Sequence, residues 1–172
     1  MRRINVVGMS CCGKTTLARA LADRLGVPNV ELDALFWGSE WTPVPEEMFR
    51  SRVADALSAD GWVADGGYQM ARDIIWGRAD TVVWVDYPLR VILPRWAKRT
   101  VDRARSGREF WPGTGNRESI RRALARDGLL WFILRQHRGK RRRTAARLRA
   151  RPDLDVVRLR SPRDTDAWVA RL

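Results

Sequence analysis

The run Gly8-Met9-Ser10-Cys11-Cys12-Gly13-Lys14-Thr15-Thr16 follows the short segment Ile4-Asn5-Val6-Val7 and precedes an amphipathic stretch from Thr15 to Leu25. It is G-x-x-x-x-G-K-[ST], the Walker A pattern, in the setting it requires: a strand feeding a glycine-bounded loop that opens a helix. Few other arrangements satisfy that geometry. Backbone N–H groups of the loop and the free N–H groups of the new helix converge on one point and favour an anion there. Lys14 reaches the β- and γ-phosphates of a nucleoside triphosphate, and Thr15 offers its hydroxyl to Mg2+. The pattern predicts binding of ATP with Mg2+ through Gly8, Ser10, Cys11, Cys12, Gly13, Lys14, Thr15 and Thr16.

A chain of 172 residues is expected to form one domain with a real core. Arg2-Arg3 is followed by four residues of strand and then by the loop, not by the apolar region of a secretion signal. No apolar run approaches the roughly 18 residues of a membrane span. Cys11 and Cys12 are adjacent, so they frame no disulfide scaffold and lack metal-ligand spacing. The expectation is a soluble cytoplasmic protein with no membrane partner.

Charge is distributed unevenly. The net charge is +13, yet residues 1–86 carry 9 basic and 12 acidic side chains, against 24 and 8 in residues 87–172. The segment 135–151 alone holds nine basic residues and no acid. Such a run fits a polyanion-binding surface, and a nucleic-acid-binding ATPase is therefore one reading of the chain. The other is that 30 of the 33 basic residues are arginine, in keeping with a GC-rich coding bias, and that phosphoryl transfer itself needs arginines.

Strand-like and helix-like segments alternate along the chain, which predicts a parallel sheet covered by helices. Strands are expected at residues 3–8, 29–33, 62–65, 81–86 and 155–159. Helices are expected at about 13–25, 46–59, from Pro88 through Arg95 and Arg99, at 117–149 with a break near Gly128 or Gly139, and at 164–172. A lid is expected at about 101–117, its Arg103–Asn116 stretch an Arg/Gly/Pro-rich loop, and an acceptor-side region at about 34–60.

In open α/β sheets the site lies beyond the carboxyl ends of the strands. Asp33, Asp65 and Asp86 stand at such ends, and Glu31 and Asp33, two apart on a strand, would share a face. One such carboxylate could hold Mg2+ and another could orient or deprotonate an acceptor hydroxyl. Asp65, followed by two glycines, is the first choice for metal with Thr15; Asp33 is the second carboxylate, and Asp86, before Tyr-Pro, equally suits a helix start. Arg95 and Arg99, at i and i+4, share a helix face just before the lid. They are expected to face the transferring phosphoryl group when the lid closes, with Lys14, Asp33 and Asp65 completing the catalytic set.

These residues resemble a family. The strand, phosphate loop and helix, the Asp33 after strand two, the Asp65-Gly66 pair and the Arg95-x-x-x-Arg99 spacing look like the P-loop nucleoside monophosphate kinase group, whose relatives include shikimate and gluconate kinases. Residues 30–37, 62–68, 78–86 and 115–119 are similar to the adenylate-kinase-like proteins labelled "DNA topology modulation" (FlaR-like). The resemblance implies an α/β P-loop fold with a five-stranded parallel sheet in the order 2-3-1-4-5, a short Arg-rich lid, ATP with Mg2+, and a phosphoryl transfer to a small hydroxyl- or phosphate-bearing acceptor. Three positions depart from it. Arg72 lies three places later than the arginine that grips the acceptor phosphate in adenylate kinases, Gly67 replaces Asn, and Cys11-Cys12 replaces Gly-Ser. A cysteine at position 11 is expected to strain a loop that wants positive φ there. Beside a helix N-terminus and Lys14, a thiol is expected to have a lowered pKa and to react as a thiolate; the alternative is that one of the pair packs inward as a small apolar residue.

Overall fold

The computed structural model describes residues 1–172. Its regular elements are β1 (Arg3–Gly8), α1 (Lys14–Leu25), β2 (Asn29–Glu31), α2 (Leu32–Phe36), α3 (Glu46–Ala56), β3 (Trp62–Asp65), α4 (Arg72–Arg78), β4 (Thr81–Val85), α5 (Leu89–Ser106), α6 (Ile120–Leu124), α7 (Leu129–Arg149), β5 (Asp155–Leu159) and α8 (Pro162–Val169). The strands are all parallel and ordered β2-β3-β1-β4-β5, so the phosphate loop leaves the centre of the sheet.

Successive strand side chains point to opposite faces, and both faces are filled. Ile4, Val6, Val63, Val83 and Val85 pack with Leu17 and Leu21 of α1 and Ile92 of α5. On the other side Val7, Trp62, Ala64, Val82 and Trp84 pack with Phe49 and Val53 of α3 and with Ile75 and Trp76 of α4. The long α7 reaches both layers, through Ile133 at one end and Leu148 at the other. No helix is long and apolar enough to cross a membrane.

Asn5 interrupts the apolar pattern of β1 and is buried. Its amide is fully used: Nδ2 donates to the carbonyls of Ala64 (3.1 Å) and Gly66 (3.0 Å), and Oδ1 accepts from the Trp76 indole N–H (3.0 Å). A buried side chain with every partner supplied locks the ends of β1, β3 and α4 together. Asp65 is the last residue of β3, so this amide also fixes where that carboxylate emerges.

Several boundaries differ from the expected ones. Strand two stops at Glu31, because the chain turns helical at Leu32; Asp33 therefore sits in the first turn of α2 and not on a strand beside Glu31. The helix after Pro88 continues to Ser106, so the irregular part of the lid begins at Gly107 instead of at Arg103. Its two arms meet in an antiparallel bridge, Glu109 to Arg117. The long helical region starts at Ile120 and breaks at Gly128, not at Gly139. Helix α4 was not expected, since its seven residues are too few to display a helical period.

Asp86 is neither a helix start nor a site carboxylate. Its side chain is wholly buried, and two arginines fork onto it: Arg141 through Nε (2.5 Å) and Nη2 (3.0 Å), Arg158 through Nε (3.0 Å) and Nη2 (2.6 Å). Arg158 also lies over the Trp84 ring at 4.3 Å. The cluster ties α7 to β4 and β5. Asp86→Ala leaves two guanidinium groups around a void. It is expected to destabilise the fold by about 2–3 kcal/mol, below the usual figure for a broken buried pair because both arginines are part-exposed. A denaturant melt measures this; a change under 0.5 kcal/mol would contradict the structural role.

Candidate functional site

The loop between β1 and α1 is built on close backbone approach. A Cβ on Gly8 would lie 2.6 Å from the Val85 carbonyl and 2.8 Å from the Cys12 sulfur, so no side chain fits there. Gly13 adopts φ +97° and caps α1 without any side-chain hydrogen bond, leaving the N–H groups of the first helical turn free. Arg95 Nη1 donates to the Cys12 carbonyl (2.8 Å) and occupies the space where a Cβ of residue 13 would lie. Cys11 holds φ +62°, the left-handed conformation expected to strain a cysteine.

Lys14 curls back over the loop and donates to the Met9 carbonyl (3.0 Å). Burial opposes its charge, while the Asp65 and Asp33 carboxylates favour it. The Thr15 hydroxyl donates to the Asp65 carboxylate. Burial pushes the Asp65 pKa up, with Lys14 and the Thr15 bond working against the rise. Two hard oxygen donors thus stand side by side at the mouth of the loop. Across the cleft Tyr68 donates its hydroxyl to Asp33 Oδ1 (2.5 Å); burial and the Asp33 charge push the Tyr68 pKa far up, so it stays a donor. Glu31 is taken up by Arg19.

Two cavities meet at this point. One, of about 830 Å³, is lined by Ser10 to Thr16 together with Arg95, Arg99 and Arg103. The other, of about 640 Å³, is walled by Trp37, Trp41, Tyr68 and Phe132 and carries Arg117, Arg122 and Lys140. Ser10, Lys14, Asp33, Arg99, Phe110 and Trp111 line both. Arg99 lies over the Phe110 ring (5.9 Å) and beside Glu118 (3.7 Å), and Arg103 covers the same ring at 3.8 Å. Every residue expected at the site therefore borders one cavity or the other, and Lys14, Asp33, Asp65, Arg95 and Arg99 converge. Arg72 does not; it stacks on Trp76.

Lys140 was missed from the sequence. It belongs to the Arg-rich run, but it projects into the second cavity, makes no hydrogen bond or ion pair, and sits near Lys14. Burial, and then the Lys14 charge, lower its pKa to about 8. The signal was present: the chain has only three lysines, Lys14, Lys98 and Lys140. Much of the remaining run is engaged internally. Arg141 holds Asp86, Arg147 meets Gln69 (3.1 Å), and Arg151 bonds Asp153 and the Trp76 carbonyl (2.8 Å). Arg135, Arg138, Arg142, Arg143 and Arg149 of the run remain exposed.

Comparison with known proteins agrees with this geometry. No family model matches the chain. The shikimate kinases of Synechococcus sp. (strain CC9605) and Parasynechococcus marenigrum (strain WH8102) are 33% and 32% identical over 99 residues, 49% of this chain and 50% and 52% of theirs. The chain spans about half the length of the curated relatives it matches. Among solved structures, shikimate kinase from Bacteroides thetaiotaomicron aligns with TM-score 0.58 at 20% identity, over 99% of this chain and 95% of that one. A gluconokinase from Sinorhizobium meliloti 1021 aligns with TM-score 0.52 at 20% identity, over 99% and 92%. The fold is shared with these kinases of solved structure.

Of the two readings of the cysteines, the structure favours inward packing for Cys12. Burial raises both thiol pKa values above the ordinary range; the lowering charges of Arg99 and Lys14 at Cys11, and of Lys14 at Cys12, do not offset it. Cys12 packs into the core beneath the loop. Alkylation by iodoacetamide at pH 7.5 is expected to run at least roughly tenfold slower for Cys12 than for a free cysteine, with Cys11 slowed less. Rapid labelling of Cys12 in the folded protein would show that the thiol is not held inside.

Proposed function

We propose that this chain is an ATP-dependent kinase that transfers the γ-phosphoryl group to a hydroxyl of a small anionic acceptor. The observation that carries this reading is the shared wall: six residues line both cavities, so ligands in the two chambers would meet over Lys14, Asp33 and Arg99. In such a transfer the acceptor O–H loses its proton, its oxygen bonds to the γ-phosphorus, and the bond to the β-phosphate oxygen breaks to release ADP. Asp33 is suited to take the proton, because Tyr68 already supplies one hydrogen bond and holds the carboxylate in place. Lys14, Arg95 and Arg99 supply positive charge where negative charge spreads over the phosphoryl oxygens.

Thr15 and Asp65 are the residues that would hold Mg2+. No cluster of three or more acidic or metal-ligating side chains exists, and that suits a cation carried mainly by nucleotide oxygens. When bound it would neutralise the β- and γ-oxygens. We assign the nucleotide to Gly8, Ser10, Cys11, Cys12, Gly13, Lys14, Thr15, Thr16 and Arg95, within a single domain whose lid spans about 101–117. Lys140 is an unpaired cation facing the acceptor chamber, with Arg117 and Arg122 nearby, and it favours an acceptor bearing a carboxylate or phosphate. The similarity to shikimate kinases and to a gluconokinase supports a hydroxylated acid as the acceptor class. The resemblance of residues 30–37, 62–68, 78–86 and 115–119 supports a place beside the adenylate-kinase-like "DNA topology modulation" proteins, and a cytoplasmic location goes with ATP-dependent chemistry.

A coupled assay of ATP consumption against matched neutral and anionic polyols tests the reading. Lys14→Ala is expected to lower turnover by about a hundredfold or more, the loss of about 3 kcal/mol at the transition state, with the melting temperature unchanged. Wild-type turnover in that variant would exclude the loop from the chemistry.

Lys140→Met is expected to raise KM for an anionic acceptor about tenfold while leaving kcat and the KM for ATP nearly unchanged. The wild-type KM should also climb as pH passes about 8, because the ammonium is charged below that pH and neutral above it. A flat profile from pH 7 to 9, identical in Lys140→Met, would remove Lys140 from acceptor recognition.

A further inference from the structure

Asn116 lies in the second arm of the lid, is completely buried, and uses every polar group it has. Its Nδ2 donates to the Gly38 carbonyl (2.9 Å), and its Oδ1 accepts the Trp41 N–H (2.6 Å). Its own N–H donates to Thr114 Oγ1 (3.3 Å), and its carbonyl accepts the Phe110 N–H (2.8 Å). Two of these bonds reach the acceptor-side loop and two stay inside the lid. A further backbone bond runs alongside, from Glu40 N–H to the Thr114 carbonyl (3.3 Å).

The segment it grips is one that would not hold its shape alone. Glu40 and Trp41 have φ of 54° and 60°, a conformation that disfavours any side chain by about 1 kcal/mol or more. Trp41 is also held by rings and charge from the lid side: edge-to-face contacts with Phe110 (4.9 Å) and Trp111 (6.0 Å), and Arg122 at 5.5 Å from its ring centroid. Phe110 and Trp111 border the phosphate-loop cavity as well as the acceptor chamber. A ligand that orders Phe110 and Trp111 therefore acts on the backbone that places Trp41 and Trp37.

We propose that Asn116 is a positioning residue that joins the lid and the acceptor-side loop into a single closing unit, so that a nucleotide in the phosphate-loop cavity organises the acceptor chamber. The proposal rests on the nucleotide reading above and deepens it: the two substrates would bind with positive coupling, nucleotide first favouring acceptor. Asn116 touches neither ligand. Its effect is exerted through Trp41.

Hydrogen exchange of the intact chain, with and without Mg2+ and a non-hydrolysable ATP analogue, tests this without any knowledge of the acceptor. In the wild type the analogue is expected to slow exchange in residues 8–17 and, by about tenfold, in residues 38–44, the middle of the usual range for coupled sites. In Asn116→Ala the slowing at 8–17 is expected to remain while that at 38–44 disappears. Trp41→Leu, which removes the aromatic half of the junction and leaves Asn116 in place, is expected to weaken the response at 38–44 in the same way and guards against misfolding of the first variant. Protection at 8–17 without any at 38–44 in the wild type, or full protection at 38–44 in both variants, overturns the coupling and leaves the nucleotide reading standing. Absence of protection at 8–17 in the wild type overturns both.

Discussion

The cleft depends on the fixed pairing of β1 with β3, and one buried amide enforces it. Asn5 bonds the carbonyls of Ala64 and Gly66 and the indole of Trp76, so the strand that feeds the phosphate loop and the strand that presents Asp65 cannot slide or splay. A hydrophobic residue at position 5 would fill the space but leave those carbonyls and the indole without partners, and each unmet group is worth about 1–3 kcal/mol. Asp65, paired with Val6, ends β3 two residues before β1 ends at Gly8, and the Thr15 hydroxyl donates to it. The nearby Lys14 then finds its charge supported by two carboxylates in spite of burial. Geometry at the sheet becomes electrostatics at the loop.

The parts of this molecule that were legible in the sequence are those governed by local rules. The strand–loop–helix opening and the Val/Trp-rich β4 each carry their pattern in consecutive residues, and the sheet order followed from a resemblance built on them. Asp33 was found but misplaced, because the decision to leave the extended conformation at Leu32 is made by packing of that side chain under Gly66, not by its neighbours in sequence. Asp86 looked like a site carboxylate for the same reason that it is not one: its two arginines come from positions 141 and 158, invisible at short range. The cysteine pair admits two readings in the sequence because proximity to Lys14 can be read from the chain, whereas desolvation beneath the loop cannot.

Lys140 and Asn116 illustrate two kinds of hidden residue. Lys140 sits in a run whose charge suggests a solvated helix face, and only its chemistry, a lysine among arginines, sets it apart. A compact ammonium adapts to burial by lowering its pKa, which a guanidinium does not do, so a lysine at this cavity-facing position is physically sensible. Asn116 has no such mark. Its importance arises from the meeting of two irregular segments, where backbone groups unsatisfied by helix or strand must be paired by a side chain.

The uneven placement of charge has a kinetic side. With a net charge of +13 concentrated in residues 87–172, which supply Arg95, Arg99, Arg103, Arg117, Arg122 and Lys140 to the two cavities, the cleft forms the mouth of a positive field. Low-dielectric walls focus such a field, so small multivalent anions are drawn toward the opening faster than neutral molecules of the same size. Ionic strength shortens its reach to about 8 Å under physiological conditions. Encounter with charged ligands is therefore the stage at which the surrounding salt, and not the shape of either chamber, has most control.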